Sequence, residues 1–183
     1  MASTPLYNLP YYAAGDPANF PVDSPAMMNA TESAIKGLTI IKPSDQTLAT
    51  TTLTDDTALI SAVQSTAVYE VELKLLYGAL TGIGIKIGWT FPVGATMNWC
   101  ADGLASAVVV TSGIILRAGQ IITDAVTLGS AAAVATNVWA YPKGILTIGG
   151  TAGNLRLQWA QGAASGTGTV VRAGSQLKLK RIG

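Results

Sequence analysis

The sequence has no histidine, a single cysteine and very little charge: 11 Lys plus Arg stand against 10 Asp plus Glu in 183 residues, for a net charge of +1. Each shortage excludes a class of function. Without His, the side chain that ordinarily titrates near neutrality is missing, and the commonest general base and transition-metal ligand go with it. Cys100 alone can make neither an intrachain disulfide nor a cysteine-based zinc site. The densest basic group is Lys178, Lys180 and Arg181, too small a footprint for a phosphate backbone, so nucleic acid is not the expected partner. Charged residues make up 11% of the chain beside 49% hydrophobic, against about 25% charged in an ordinary soluble domain. Something other than ions must dress the surface.

The mean hydropathy of +0.40 raises the question of a membrane. The longest charge-free run, from Ala125 to Pro142, is interrupted by Thr127, Gly129, Ser130, Thr136 and Asn137, and it lacks the dense Leu, Ile and Phe content of a spanning helix. No membrane insertion is expected. There is no Lys or Arg before Lys36 and no compact apolar stretch near the start, so the N-terminus does not read as a signal peptide.

What is there changes along the chain. Residues 1–25 hold five of the eight prolines, Pro5, Pro10, Pro17, Pro21 and Pro25, with Tyr7, Tyr11, Tyr12 and Phe20 interleaved. Prolines at this density fix φ and remove amide donors, which predicts an extended arm with no internal ladder. Disordered leaders are poor in aromatics, so these four rings read as anchoring groups that dock on another surface. A short helix is predicted over 26–38, with Ser24 as N-cap, Pro25 at the first turn and Gly37 near the end. Met28, Thr31, Ile35 and Leu38 recur at spacings of three, four and three, a seam that suits either packing on the body or a small parallel bundle around an oligomer axis.

From 39 to 183 the pattern becomes period two. Ala67, Tyr69, Val71, Leu73, Leu75 and Tyr77 alternate with Val68, Glu70, Glu72, Lys74 and Leu76, which predicts a strand with one apolar face. Ile83, Ile85, Ile87, Trp89 and Phe91 predict a second, Leu155, Leu157 and Trp159 a third, and Leu177 and Leu179 the last. Shorter strands are expected at 108–110, 113–116, 120–126, 134–141 and 145–148. The threonines between Thr47 and Thr57 can form a polar strand without charge. Many short strands punctuated by Gly and Pro specify an all-β antiparallel sandwich or barrel.

Chemistry is sparse. Asp55 and Asp56 are adjacent, so on a strand they point to opposite faces and read as turn or strand-end residues in preference to a cation site. Glu70 and Glu72 share one face at a spacing that could serve a hydrolase, yet cross-strand pairing with Lys or Arg is the better account. Gly82, Gly84 and Gly88 miss the phosphate-binding spacing by one position. Trp89 and Trp159 fall on apolar phases and are expected in the core, whereas Trp99 and Trp139 remain candidates for a ligand contact, a sugar face included. No catalytic residue, metal or cofactor is expected.

The order of these segments resembles a known group. Thr51, Thr52, Leu53, Thr54, Asp55 and Asp56 lead into Tyr69–Tyr77, followed by Gly88, Trp89, Pro92, Gly94 and Ala95, then by 144–161 and 171–182. This is similar to the β-rich body of small virion proteins of tailed bacteriophages, especially those of actinobacteria. The arm, with Gly15, Asp16, Pro17, Val22 and Asp23, is similar to the attachment segments that open phage tail and fibre proteins. The resemblance implies a jelly roll of the C1q and tumour necrosis factor class, a homotrimer on the virion surface, and partners among capsid proteins (as a decoration protein or head fibre) or tail proteins (as a minor tail protein). A receptor- or glycan-binding adhesin is the alternative it leaves open.

Overall fold

The computed structural model describes residues 2–3, 10–11, 38–106, 116–117, 124–130 and 132–183. The chain divides into two units, Met1–Gly37 and Leu38–Gly183. In the first, β1 (Ala2–Ser3) and β2 (Pro10–Tyr11) form a two-stranded antiparallel ladder. The second carries β3 (Leu38–Ile41), β4 (Gln46–Leu48), β5 (Thr54–Val63), β6 (Val68–Gly78), β7 (Ile85–Thr90), β8 (Thr96–Gly103) and β9 (Leu116–Arg117). It continues with β10 (Val126–Leu128), β11 (Val138–Thr147), β12 (Gly153–Gln161), β13 (Thr169–Val171) and β14 (Gln176–Arg181). Among the described residues there is no helix.

The pairing follows one rule. β3 pairs with β14, β4 with β13, β5 with β12, β6 with β11, β7 with β10, and β8 with β9, all antiparallel. Each strand meets its mirror image in chain order, so the body is one long hairpin whose closing bend is β8–β9. Rolling that hairpin places β3–β14 and β4–β13 in one sheet and sends the pairs from β4–β13 onward to alternate sheets, which produces the jelly roll. One sheet has the order β10-β7-β12-β5; the other has eight strands, in the order β3-β14-β6-β11-β8-β9 with β13 joining β6 and β4. The all-β antiparallel sandwich expected from period-two patterning is the fold observed.

The core lies where the alternation predicts. Tyr69, Val71, Leu73, Leu75 and Tyr77 of β6 are buried, as are Ile85 and Ile87 of β7, Leu155, Leu157 and Trp159 of β12, and Leu177 and Leu179 of β14. At about 1.5–3 kcal/mol for each large side chain removed from water, this interface between the sheets is the main stabilising term. Tyr77 buries its ring and donates its hydroxyl to the Gly129 carbonyl at 2.8 Å; burial pushes its phenol well above the ordinary range. Gly84 ends the turn after β6 with φ +67, and a Cβ there would drive into the Leu128 carbonyl oxygen. Only glycine suits both demands.

The structure corrects several expectations. Leu38 is not the last residue of a helix seam: it opens β3 and pairs with Leu179 of β14. Leu38, Thr39, Ile40 and Ile41 are mostly β-branched, and a free strand partner outweighs a helical spacing that only one and a half heptads support. Met28, Thr31 and Ile35 lie outside the described residues. The arm is not wholly without a ladder, since Ser3 pairs with Pro10 and Ala2 with Tyr11; proline removes a donor only at its own position. Tyr7, Tyr12 and Phe20 lie outside the described residues. The segments expected at 134–141 and 145–148 are one strand, β11, which runs through Pro142. The ladder from β11 to β6 carries no partner for Tyr141 or Pro142, so the missing proline N–H falls where no ladder bond is made.

Candidate functional site

The outward face of the larger sheet carries an aligned set of large apolar side chains. Along β11, Val138, Ala140, Pro142 and Leu146 turn inward while Trp139, Tyr141, Lys143, Ile145 and Thr147 turn outward. Three of the outward residues are large and apolar: Trp139 is 43%, Tyr141 47% and Ile145 44% exposed. Strand geometry puts residues i and i+2 on one face, and the Trp139 and Tyr141 rings stack with centroids 6.1 Å apart and planes 14° from parallel. Leu76 of β6 lies opposite Trp139 in register. On the edge strand β3, Ile41 is 58% exposed. Isolated exposed apolar residues are ordinary; an aligned stripe at the middle of a sheet marks a contact surface.

Charge on this face is arranged in pairs. Lys143 donates to Asp102 at 3.1 Å and Lys178 to Glu72 at 3.2 Å. Glu70 stands opposite Lys180 of β14 on one side and Ile145 of β11 on the other. Between the strands runs an open groove of about 410 Å³, lined by Glu70, Glu72, Asn98, Cys100, Lys143 and Ile145, with Val71, Trp99 and Gly144 beneath. Glu70 and Glu72 thus have the cross-strand basic neighbours expected of them. Among the described residues no group of three or more Cys, Asp or Glu could hold a metal ion, and no helix is long and apolar enough to cross a membrane.

The candidate ligand contacts separate. Trp139 is on the stripe. Trp99 is 3% exposed, and it meets Trp89 edge to face at 6.0 Å and 89°. It shares the inward phase of β8 with Met97 and Ala101, so it forms part of the core and is not a surface contact. Trp159 is fully buried and Trp89 packs against the core, as their apolar phases require. Cys100 is half-buried on the outward phase of β8.

A second cluster, which the sequence does not announce, lies inside the body. Lys42 and Asp56 form an ion pair at 2.7 Å, with side chains 1% and 0% exposed. The Lys42 ammonium donates to both Asp56 oxygens and to Gln46 Oε1, and Trp159 Nε1 donates to Asp56 Oδ2 at 3.0 Å. Between Asp55 and Ile60, β5 sets residues 56–59 opposite Leu157 alone. That bulge frees the Ala58 and Leu59 amides from the ladder, and both donate to Asp56 Oδ1 at 2.9 Å. Asp55, one residue earlier, faces the other way. Partial burial works against its charge, yet hydrogen bonds from Thr90, Gln158 and Arg156 outweigh this and hold its carboxyl below the ordinary value.

No protein-family model matches the chain, and no curated protein sequence does. Among solved structures, the chain is similar to a chain of infectious bursal disease virus Gx strain, with a TM-score of 0.17, 9% identity and 79% of this chain covered. It is similar to a chain of the Gt strain of that virus, with a TM-score of 0.17, 10% identity and the same 79% covered. The chain spans 42% and 40% of those two viral chains.

Proposed function

We propose that this protein is a non-enzymatic structural component of a tailed-phage virion, displayed on the particle surface as a homotrimer and attached through its N-terminal segment to a capsid or tail protein. The observation that carries the reading is the apolar stripe of Trp139, Tyr141 and Ile145 at the middle of a sheet face, on a body whose sequence resembles phage virion proteins. Burying such a stripe against copies of itself gives the apolar excess of a chain with 11% charge a place to go. The paired charges around it form the polar rim that a protein interface needs. The action is multivalent attachment, in which tethering raises effective concentration without any new contact.

Two experiments test it. Light scattering of the intact chain should give three times 18.7 kDa, and Trp139→Glu with Tyr141→Glu should yield a folded monomer; a wild-type monomer at micromolar concentration would overturn the trimer. Deleting residues 1–25 should abolish incorporation into particles while leaving the body folded. Incorporation of the truncated chain at normal copy number would overturn the anchoring role.

A glycan-binding adhesin is the second reading, favoured by the exposed, nearly parallel Trp139 and Tyr141 rings, since an aromatic face suits the apolar face of a pyranose. It predicts that Trp139→Ala lowers host adsorption while the oligomer persists. Unchanged adsorption together with a silent glycan array would remove it.

A further inference from the structure

We propose that Lys42 and Asp56 become joined by an amide bond inside the folded body. A chain that uses so few charges buries this lysine almost completely, at 2% exposure, and fully buried lysines are rare unless paired. The amine nitrogen lies 2.9 Å from Oδ1 and 2.7 Å from Oδ2 of the same carboxyl group. Reactants held at such distances gain the large effective concentrations that make intramolecular condensation competitive.

The surrounding groups divide the two carboxyl oxygens into different roles. Oδ1 accepts the Ala58 and Leu59 amides, both at 2.9 Å, which is the arrangement of an oxyanion hole. Oδ2 has the shorter contact with Nζ and accepts Trp159 Nε1–H. Transfer of a proton from the ammonium to Oδ2, which Nζ already contacts at 2.7 Å, gives the neutral amine and neutral acid from which condensation starts. Nζ then attacks Cγ, negative charge develops on Oδ1 within the hole, and Oδ2 leaves as water with a second proton from the nitrogen. One N–C bond forms and one C–O bond breaks. The ammonium and carboxylate charges cancel, so no further reactant is needed.

The same groups satisfy the product. The amide oxygen retains the two backbone donors, and the remaining amide N–H faces Gln46 Oε1, which already accepts from Nζ at 2.9 Å. With both side chains shielded from solvent, water has little access to reverse the step. The bond would tie the end of β3 to the bulge of β5 and would persist after the rest of the body unfolds, a useful property in a protein exposed on a particle.

Intact mass spectrometry of the purified full-length chain is the test. The wild-type protein should be lighter than its sequence mass by one water, and Lys42→Arg should restore the full mass. In a tryptic digest the deficit should sit in the peptide 37–74, with backbone fragmentation between Lys42 and Asp56 releasing no separate ions. A wild-type mass equal to the sequence mass overturns the proposal whether or not any variant folds. A water loss that survives in Lys42→Arg overturns it too, because it would mark cyclisation at an aspartyl peptide bond.

Discussion

At the scale of single residues, the contrast between Asp55 and Asp56 shows what a strand does to adjacent side chains. Asp55 faces outward and meets Arg156 at 3.2 Å with both groups about a third exposed, so that pair contributes little, on the order of 0–1 kcal/mol. Asp56 faces inward and takes Lys42 with it. Removing one member of a buried pair strands the other, so Lys42→Met should cost about 3–5 kcal/mol of unfolding free energy in urea titration. Adding Asp56→Leu should recover part of that loss; a double variant less stable than the single one would contradict this account of the pair. The cost is expected whether the pair is ionic or covalent, since either way the variant leaves a buried Asp56 carboxylate without its lysine. None of this was legible in the sequence. Asp56 reads as a turn or strand-end residue, and Lys42 precedes a proline without any pattern. Their partner Trp159 is 103 residues from Asp56, and the bulge that frees the Ala58 and Leu59 amides has no local signature. The Glu70 and Glu72 reading was legible because strand periodicity alone puts both on one polar face, where Lys178 reaches Glu72.

At the scale of elements, β6, β7, β12 and β14 are readable from alternation, since each buries one phase against the other sheet. β11 is harder: a proline in its middle argues against a strand, and only the ladder shows that the missing donor lies where no bond to β6 is made. Glycine positions offer a sharper test of the turns. Gly94 has φ +79 with open space around its missing side chain, whereas Gly84 combines φ +67 with the nearby Leu128 carbonyl. Gly94→Ala should therefore cost about 1–2 kcal/mol, the left-handed penalty alone, and Gly84→Ala about 2–4 kcal/mol because overpacking is added. Equal losses in thermal or urea unfolding would contradict the packing at Gly84. Acid should loosen two other contacts. The Ala173 amide and Arg172 hold the Asp45 carboxyl below its ordinary 3.8, and Asp55 is depressed in the same direction. A carboxyl with a depressed folded pKa adds stability that is complete above its unfolded value and lost as pH falls through the folded one. The urea midpoint should hold from neutrality to about pH 5 and decline below about pH 4, with a smaller decline in Asp45→Asn. A midpoint that rises on acidification would contradict both assignments.

At the scale of the whole molecule, the nested pairing of β3 with β14 through β8 with β9 makes the body a single rolled hairpin, whose first and last strands close it. That wrapping explains how a chain with 11% charge presents so much small polar surface: outward phases carry Thr, Ser, Gly and paired ions, while inward phases carry the core. An exception is the Trp139, Tyr141 and Ile145 stripe. It was only partly legible, because alternation marks which residues of β11 share a face and cannot say which face meets solvent. Trp139 and Trp99 both read as candidates for that position, yet the inward phase of β8 takes Trp99 into the core. Large apolar groups aligned on a sheet face are each worth about 1.5–3 kcal/mol when buried, enough for a few of them to anchor an interface. The most direct measurement is the solution mass of the intact chain by light scattering, beside that of the Trp139→Glu, Tyr141→Glu double variant. The account predicts a wild-type trimer and a folded monomeric variant; a wild-type monomer, or a variant that remains trimeric, would contradict it.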